Sequence, residues 1–204
     1  MFDKTKIFNL ALAALSLQKR ISNADTDSST EALTLNVYWD LAFNSALQEM
    51  DLDSTSTSKA LELVEENPNE YWSKAYLYPT DCVLLRRIKT GNLTDDEESK
   101  EDLRVEIYKG QKVIMTNKDA AEIEYISKDV PFSTLTAEAA HFISLRLAKL
   151  AIPLVAGTNK KDVLATLNEA YSMALLDAQR KDRIESSIYQ PEYAKSALVK
   201  ARLS

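Results

Sequence analysis

Apolar residues recur at three- and four-residue intervals between Thr5 and Leu17, where Ile7, Leu10, Ala11, Ala14 and Leu15 share one side of a helix. A polar break follows at 25–30, and Ser28 stands three residues before Glu31, the spacing of a capping box in which each residue satisfies the other's free backbone donor. The pattern predicts a second helix running to about Met50, with an apolar stripe at Leu33, Val37 and Leu41 and with Phe43, Ala46 and Leu47 alongside. The Ser/Thr run from Ser54 to Ser58 ends helical character, because these side chains compete for backbone hydrogen bonds.

From there to about Pro131 the period shortens to two. Leu61 and Leu63 alternate with charges, Val83 to Ile88 is a short branched run, and Val105 and Ile107 alternate with Glu106 and Tyr108. Lys109-Gly110 reads as a turn before Lys112 to Thr116, and Ile123 and Tyr125 alternate with Glu122 and Glu124. Four or five short antiparallel strands are expected. After Pro131 the helical period returns. Ala139, Phe142, Ile143, Leu145, Leu147, Lys149 and Leu150 define a third helix stopped near Pro153, and Val163, Leu164, Leu167, Tyr171, Ala174, Leu175 and Ala178 a fourth. The order predicts an α+β fold: a four-helix layer formed by 1–53 and 132–185, interrupted by a small antiparallel β insertion at 54–131 and followed by a C-terminal arm at 186–204. That arm reads as a short docked helix or an extended segment.

Composition changes this picture little. The 204 residues are 45% hydrophobic and 27% charged, ordinary values for a cored protein, and apolar runs such as Leu10 to Leu15 fall far short of the ~20 residues a bilayer span needs. No membrane association and no secretory signal are expected, so synthesis is placed in the cytoplasm, which the single cysteine also fits. Charge is more informative. The chain carries −6 overall, yet from Arg180 onward six cations face three acids, leaving a +3 tail on a −9 body. An acidic body argues against tight gripping of nucleic acid and is compatible with a surface along which DNA slides.

Candidate chemistry is sparse. His141 lacks a local nucleophile motif, one Cys and one His cannot build the usual zinc site, and three glycines leave no glycine-rich phosphate loop. Glu31, Glu49 and Glu138 are available as acid/base groups, so a virion-associated cell-wall hydrolase working through paired carboxylates is the rival reading, although no spacing singles out a pair. An acidic stretch from Thr94 to Asp102 reads as a solvated loop or as an acidic surface facing DNA or a partner. Tyr71, Trp72, Tyr76 and Tyr78 crowd eight positions, which suits an interface or a sheet core.

At this crowded stretch a family resemblance emerges. "WSKAYLYPTDCVLLRRI" resembles the signature of the tail tubular protein A family, the head-to-tail adaptors of short-tailed bacteriophages, with Trp72, Ala75, Tyr76, Leu77, Pro79, Asp81, Cys82 and Ile88 at its positions. "YKGQKVIMTN" and "IEYISKDV", which holds Tyr125, resemble the family's hairpin and following strand. "AAHFISLRLAKLAIPLVAG" resembles its third helix, "LNEAYSMALLDAQRKDRIE" its fourth, with Tyr171, Ala174, Ala178 and Asp182 in the usual places, and "ALVKARL" its C-terminal end. Where family members often carry a tryptophan followed by Phe-Ala after helix two, this chain has Met50, Asp51, Leu52 and Asp53.

The resemblance implies a non-enzymatic virion protein without cofactor or metal: a ring, dodecameric in this family, under the portal protein, bound below to the tail nozzle or tube, with DNA passing through its lumen without sequence-specific binding. The basic arm is then the expected portal-binding element, with Ile188, Tyr189, Tyr193, Leu198 and Leu203 as apolar anchors and Lys195, Lys200 and Arg202 as cations.

Overall fold

A computed structural model describes residues 2–89, 102–154 and 160–187, and among these described residues four helices and seven antiparallel strands make an α+β protein. The chain divides into a helical unit, Met1–Ser54 with Pro131–Ser204, and a β unit, Thr55–Val130.

In the helical unit α1 (Lys4–Ala14), α2 (Thr30–Met50) and α4 (Lys160–Ser187) all pack on α3 (Ala137–Leu150). Helix α1 starts where the Asp3 carboxylate accepts the Lys6 N–H, and it stops three residues earlier than its apolar pattern suggests. Ser16 enters the left-handed region at φ 58°, so that Leu17 N–H reaches the Leu12 carbonyl and Ser16 N–H that of Ala13, a Schellman closure. Its buried face is Ile7, Phe8, Ala11 and Leu12, with Leu15 just beyond, while Leu10 is exposed and Ala14 half-buried; a helix this rich in Ala and Leu offers more than one plausible stripe.

Two expectations for α2 are corrected. The cap is Ser29, whose hydroxyl accepts the Ala32 N–H, because Glu31 reaches out to Lys19 and does not close a box with Ser28. The buried face is Ala32, Leu35, Trp39, Ala42, Phe43, Ala46, Leu47 and Met50, whereas Leu33, Val37 and Leu41 are 56%, 77% and 58% exposed. Both sides of α2 are apolar, and the side holding two aromatic rings went inward. Trp39 stacks on Phe43 at 5.1 Å between ring centroids and meets Phe8 edge-on at 5.6 Å.

Helix α3 starts at a Thr136 cap and ends at Leu150, ahead of a 3-10 turn at Ile152–Leu154 that contains Pro153. On α4 the buried positions Leu167, Tyr171, Ala174, Ala178 and Asp182 fall at helical spacing. The helix runs on through Ser187, two residues into the expected arm, and the remainder of that arm lies outside the described residues.

The β unit has more strands than its pattern predicts. They are β1 (Ser56–Ala60), β2 (Leu63–Glu66), β3 (Lys74–Leu77), β4 (Cys82–Ile88), β5 (Leu103–Tyr108), β6 (Gln111–Thr116) and β7 (Glu122–Ser127). β1 occupies the Ser/Thr run where the sequence predicts only a break; four of its five residues are exposed, so it has no apolar alternation to detect. Three strands pair in the order β1-β7-β4 and four in the order β2-β3-β6-β5. Their shared core is Tyr76, Ile88, Ile114, Ala121, Ile123 and Tyr125. Lys109-Gly110 is the predicted turn, with φ 49° and 79° at its two central residues between paired Tyr108 and Gln111, the geometry of a type I′ hairpin.

Candidate functional site

The segment that carries the family resemblance folds as one device inside the β unit. β3 delivers the chain to Tyr78, Pro79 fixes the bend, and the Cys82 N–H closes a turn on the Pro79 carbonyl at 3.1 Å. Asp81 then fastens this turn to β7: one carboxylate oxygen accepts from the Tyr125 hydroxyl at 2.8 Å and the Ser127 hydroxyl at 2.7 Å, while its carbonyl accepts the Lys128 N–H at 2.8 Å. Partial burial pushes the Asp81 carboxyl upward, but the hydrogen bonds from Ser127 and Tyr125 outweigh it and hold the group below the usual aspartate value. Burial, reinforced by Asp81, pushes the Tyr125 hydroxyl well up.

Cys82 is half-buried, its thiol directed at the Tyr78 hydroxyl at 3.1 Å, and burial raises it, so its thiolate form is disfavoured. Lys112 stands 3.6 Å from the centroid of the Tyr78 ring. The aromatic cluster divides between roles. Tyr76 is core, its hydroxyl donating to the Lys118 carbonyl at 2.9 Å; Trp72 packs on Ala75, Val113 and Met115; Tyr71 is exposed.

In the helical unit Tyr171 is a junction of three helices. Its hydroxyl donates to Glu49 of α2 and accepts from Arg146 of α3 at 3.3 Å; Arg146 also donates to Ser45 at 3.0 Å. Phe142 packs on the ring at 4.6 Å between centroids and the Lys149 ammonium stands 4.1 Å from its centroid. Burial, then Glu49, pushes the Tyr171 hydroxyl well up.

Asp182, which the sequence marks only through the family resemblance, places a buried carboxylate where it accepts the backbone N–H groups of Asp53 at 2.8 Å and Ser54 at 3.0 Å. A signal for its burial is present in the spacing, since an acid four residues beyond Ala178 continues the buried stripe of α4. The lock sits where the sequence differs from the pattern it resembles. Asp51 turns left-handed at φ 47°, Leu52 is buried, and Asp182 holds the backbone of the next two residues.

Among the carboxylates considered for catalysis, Glu49 is engaged by Tyr171, Glu31 pairs with Lys19, and Glu138 lies in the first turn of α3, where the helix dipole favours a negative charge. His141 is exposed. A groove of about 670 Å³ beside α1 is lined by Leu10, Ala13 and Leu17 with Lys6, Lys19 and Arg20, and no carboxylate lines it. Among the described residues no cluster of three His, Cys, Asp or Glu side chains is arranged to hold a metal, and no helix is long and apolar enough to cross a membrane.

What the helical unit does present is apolar surface. Besides the α2 strip, Met173 and Leu176 on α4 are 68% and 66% exposed. The arm residues Ile188, Tyr189, Tyr193, Lys195, Leu198, Lys200, Arg202 and Leu203 lie outside the described residues, as does the acidic stretch apart from Asp102. No protein-family model matches the chain, and no curated protein matches it.

Proposed function

We propose that this chain is a structural virion protein, the head-to-tail adaptor of a short-tailed phage. Copies form a ring, a dodecamer by the family resemblance, between the portal protein and the tail nozzle or tube, and DNA passes through the lumen during genome ejection. The observation that carries this reading is how the signature residues are used. Pro79, Asp81, Cys82 and Tyr125 are spent on one turn and one sheet contact, Tyr76 on the core of the β unit, and Tyr171 on a helix junction. A motif consumed in holding a shape suits a scaffold, whereas a catalytic motif aims an activated group at open space.

The mechanism is mechanical and electrostatic. Each subunit meets its neighbour through two different faces, and the rotation between them closes the ring. The −9 body leaves DNA free to slide, because phosphates are held by clustered cations. The basic, apolar-studded arm supplies the portal contact. The test is co-migration with purified cognate portal on a sizing column, using the full chain and a chain ending at Glu185. Full-length protein is expected to move with the portal and the shortened one to elute alone. Equal binding by both assigns the contact elsewhere, and binding by neither removes the adaptor reading.

A further inference from the structure

Helix α2 has two apolar sides, and among the described residues only one of them is packed against the rest of the helical unit. On the unused side Leu33, Val37 and Leu41 repeat every fourth residue, the ridge spacing with which helices interlock. Asp40 is the charge at the margin of this strip. All three charged residues of α2, Glu31, Asp40 and Glu49, are acidic, and it has no Lys or Arg. Glu31 is paired with Lys19 and Glu49 is engaged by Tyr171, which leaves Asp40 as the charge that a docking face must complement with a cation. Helix α4 offers one. Opposite its buried stripe, Met173 and Leu176 are exposed and Arg180 follows one turn on; Glu169 and Asp177 also flank this strip, and Arg180 is the cation in line with it. Neither Asp40 nor Arg180 has an ion-pair partner among the described residues.

We infer that the exposed strip of α2 docks on the exposed strip of α4 of a second copy, Leu33, Val37 and Leu41 against Met173 and Leu176, with Asp40 facing Arg180. This rests on the ring reading above and names the two faces through which neighbours meet. The contact is small for a lone dimer. A 21-residue helix is about 32 Å long and about 10 Å wide, so its face covers roughly 320 Å², under half of the ~800 Å² per partner that a stable pair needs. In a head-to-tail ring every subunit makes this contact twice, once with each face.

The experiment is light scattering of full-length protein, alone and with cognate portal, for wild type, Val37→Arg, Met173→Glu, Asp40→Arg, Arg180→Asp and the Asp40→Arg/Arg180→Asp pair. All substituted side chains are exposed, so the fold is not at stake. Wild type is expected to form the ring, Val37→Arg and Met173→Glu to lose it, each single charge reversal to weaken assembly at least tenfold, and the double reversal to restore it. Rings from Val37→Arg and Met173→Glu, with wild type also forming rings, overturn this inference and leave the adaptor reading standing. Rings that form but no longer hold the portal assign the strips to the portal and also overturn it. Single reversals that weaken assembly without rescue by the double variant overturn the pairing of these two faces. Wild type that never assembles, even with portal, removes both the inference and the reading it rests on.

Discussion

Replacing Asp81 with alanine deletes the acceptor that joins the turn before β4 to β7. Two hydroxyl donors lose a charged acceptor, at 2.8 Å for Tyr125 and 2.7 Å for Ser127, and such bonds contribute about 1.5–3 kcal/mol each. Asp81 is only half-buried, so water replaces part of what is lost, and the expected cost is about 2–3 kcal/mol. With a urea slope of roughly 2 kcal/mol per molar, the unfolding midpoint moves down by about 1–1.5 M. Tyr125→Phe alone costs about 1 kcal/mol, and because the two residues share a bond the double variant is expected to lose up to about 1 kcal/mol less than the sum of the singles. The pH dependence has a definite sign. The Asp81 carboxyl in the folded protein lies below its unfolded value of about 3.9, so its stabilisation is complete well above pH 4 and fades as pH falls through the folded value. Asp81→Ala is therefore expected to narrow its gap from wild type in acid. Urea unfolding followed by tryptophan fluorescence at neutral and acid pH measures all of this. Additive single and double effects, or a gap that widens in acid, would refute the argument.

Three other outcomes are expected from the same contacts. Asp182→Ala leaves the Asp53 and Ser54 N–H groups without their acceptor and is expected to cost about 2–4 kcal/mol by urea unfolding, with amide exchange at those two positions accelerating first; unchanged exchange there contradicts the lock. Tyr78, Tyr125 and Tyr171 all have hydroxyls raised chiefly by burial, so their contribution is complete below the unfolded value of about 10 and is lost as pH rises through the folded values. Phenolate absorbance should show at least three of the nine tyrosines ionising only as the protein unfolds, and early titration of all nine would count against these networks. Gly110→Ala meets no atom within 4 Å of the added carbon, so its cost, about 1 kcal/mol, comes from φ 79° alone; a loss several times larger would mean the hairpin is more crowded than described.

Legibility along the chain followed the strength of each local signal. α3 was readable because one side of it carries a continuous run of large apolar residues, α4 because Leu167, Tyr171, Ala174 and Ala178 keep helical spacing, and the Lys109-Gly110 hairpin because positive φ leaves few sequence choices. The buried face of α2 was not readable, since Leu33, Val37 and Leu41 keep helical spacing as well as Leu35, Trp39 and Phe43 do, and periodicity does not decide which side finds partners. β1 was missed because a strand whose side chains face water is stabilised by its backbone ladder to β7, which spacing does not encode. β-bulges beside Leu84 and Arg87 break the alternation of β4, and Arg86 and Arg87, successive residues, both reach Glu124. The roles of Asp81 and Asp182 needed tertiary structure, because their partners lie 44 or more residues away.

The number of copies bound per portal ring, obtained from the mass of the purified complex, decides whether the chain is an adaptor. A discrete ring of many copies, absent when the residues after Glu185 are removed, is the predicted result. A chain that stays monomeric and passes the portal without binding contradicts the account.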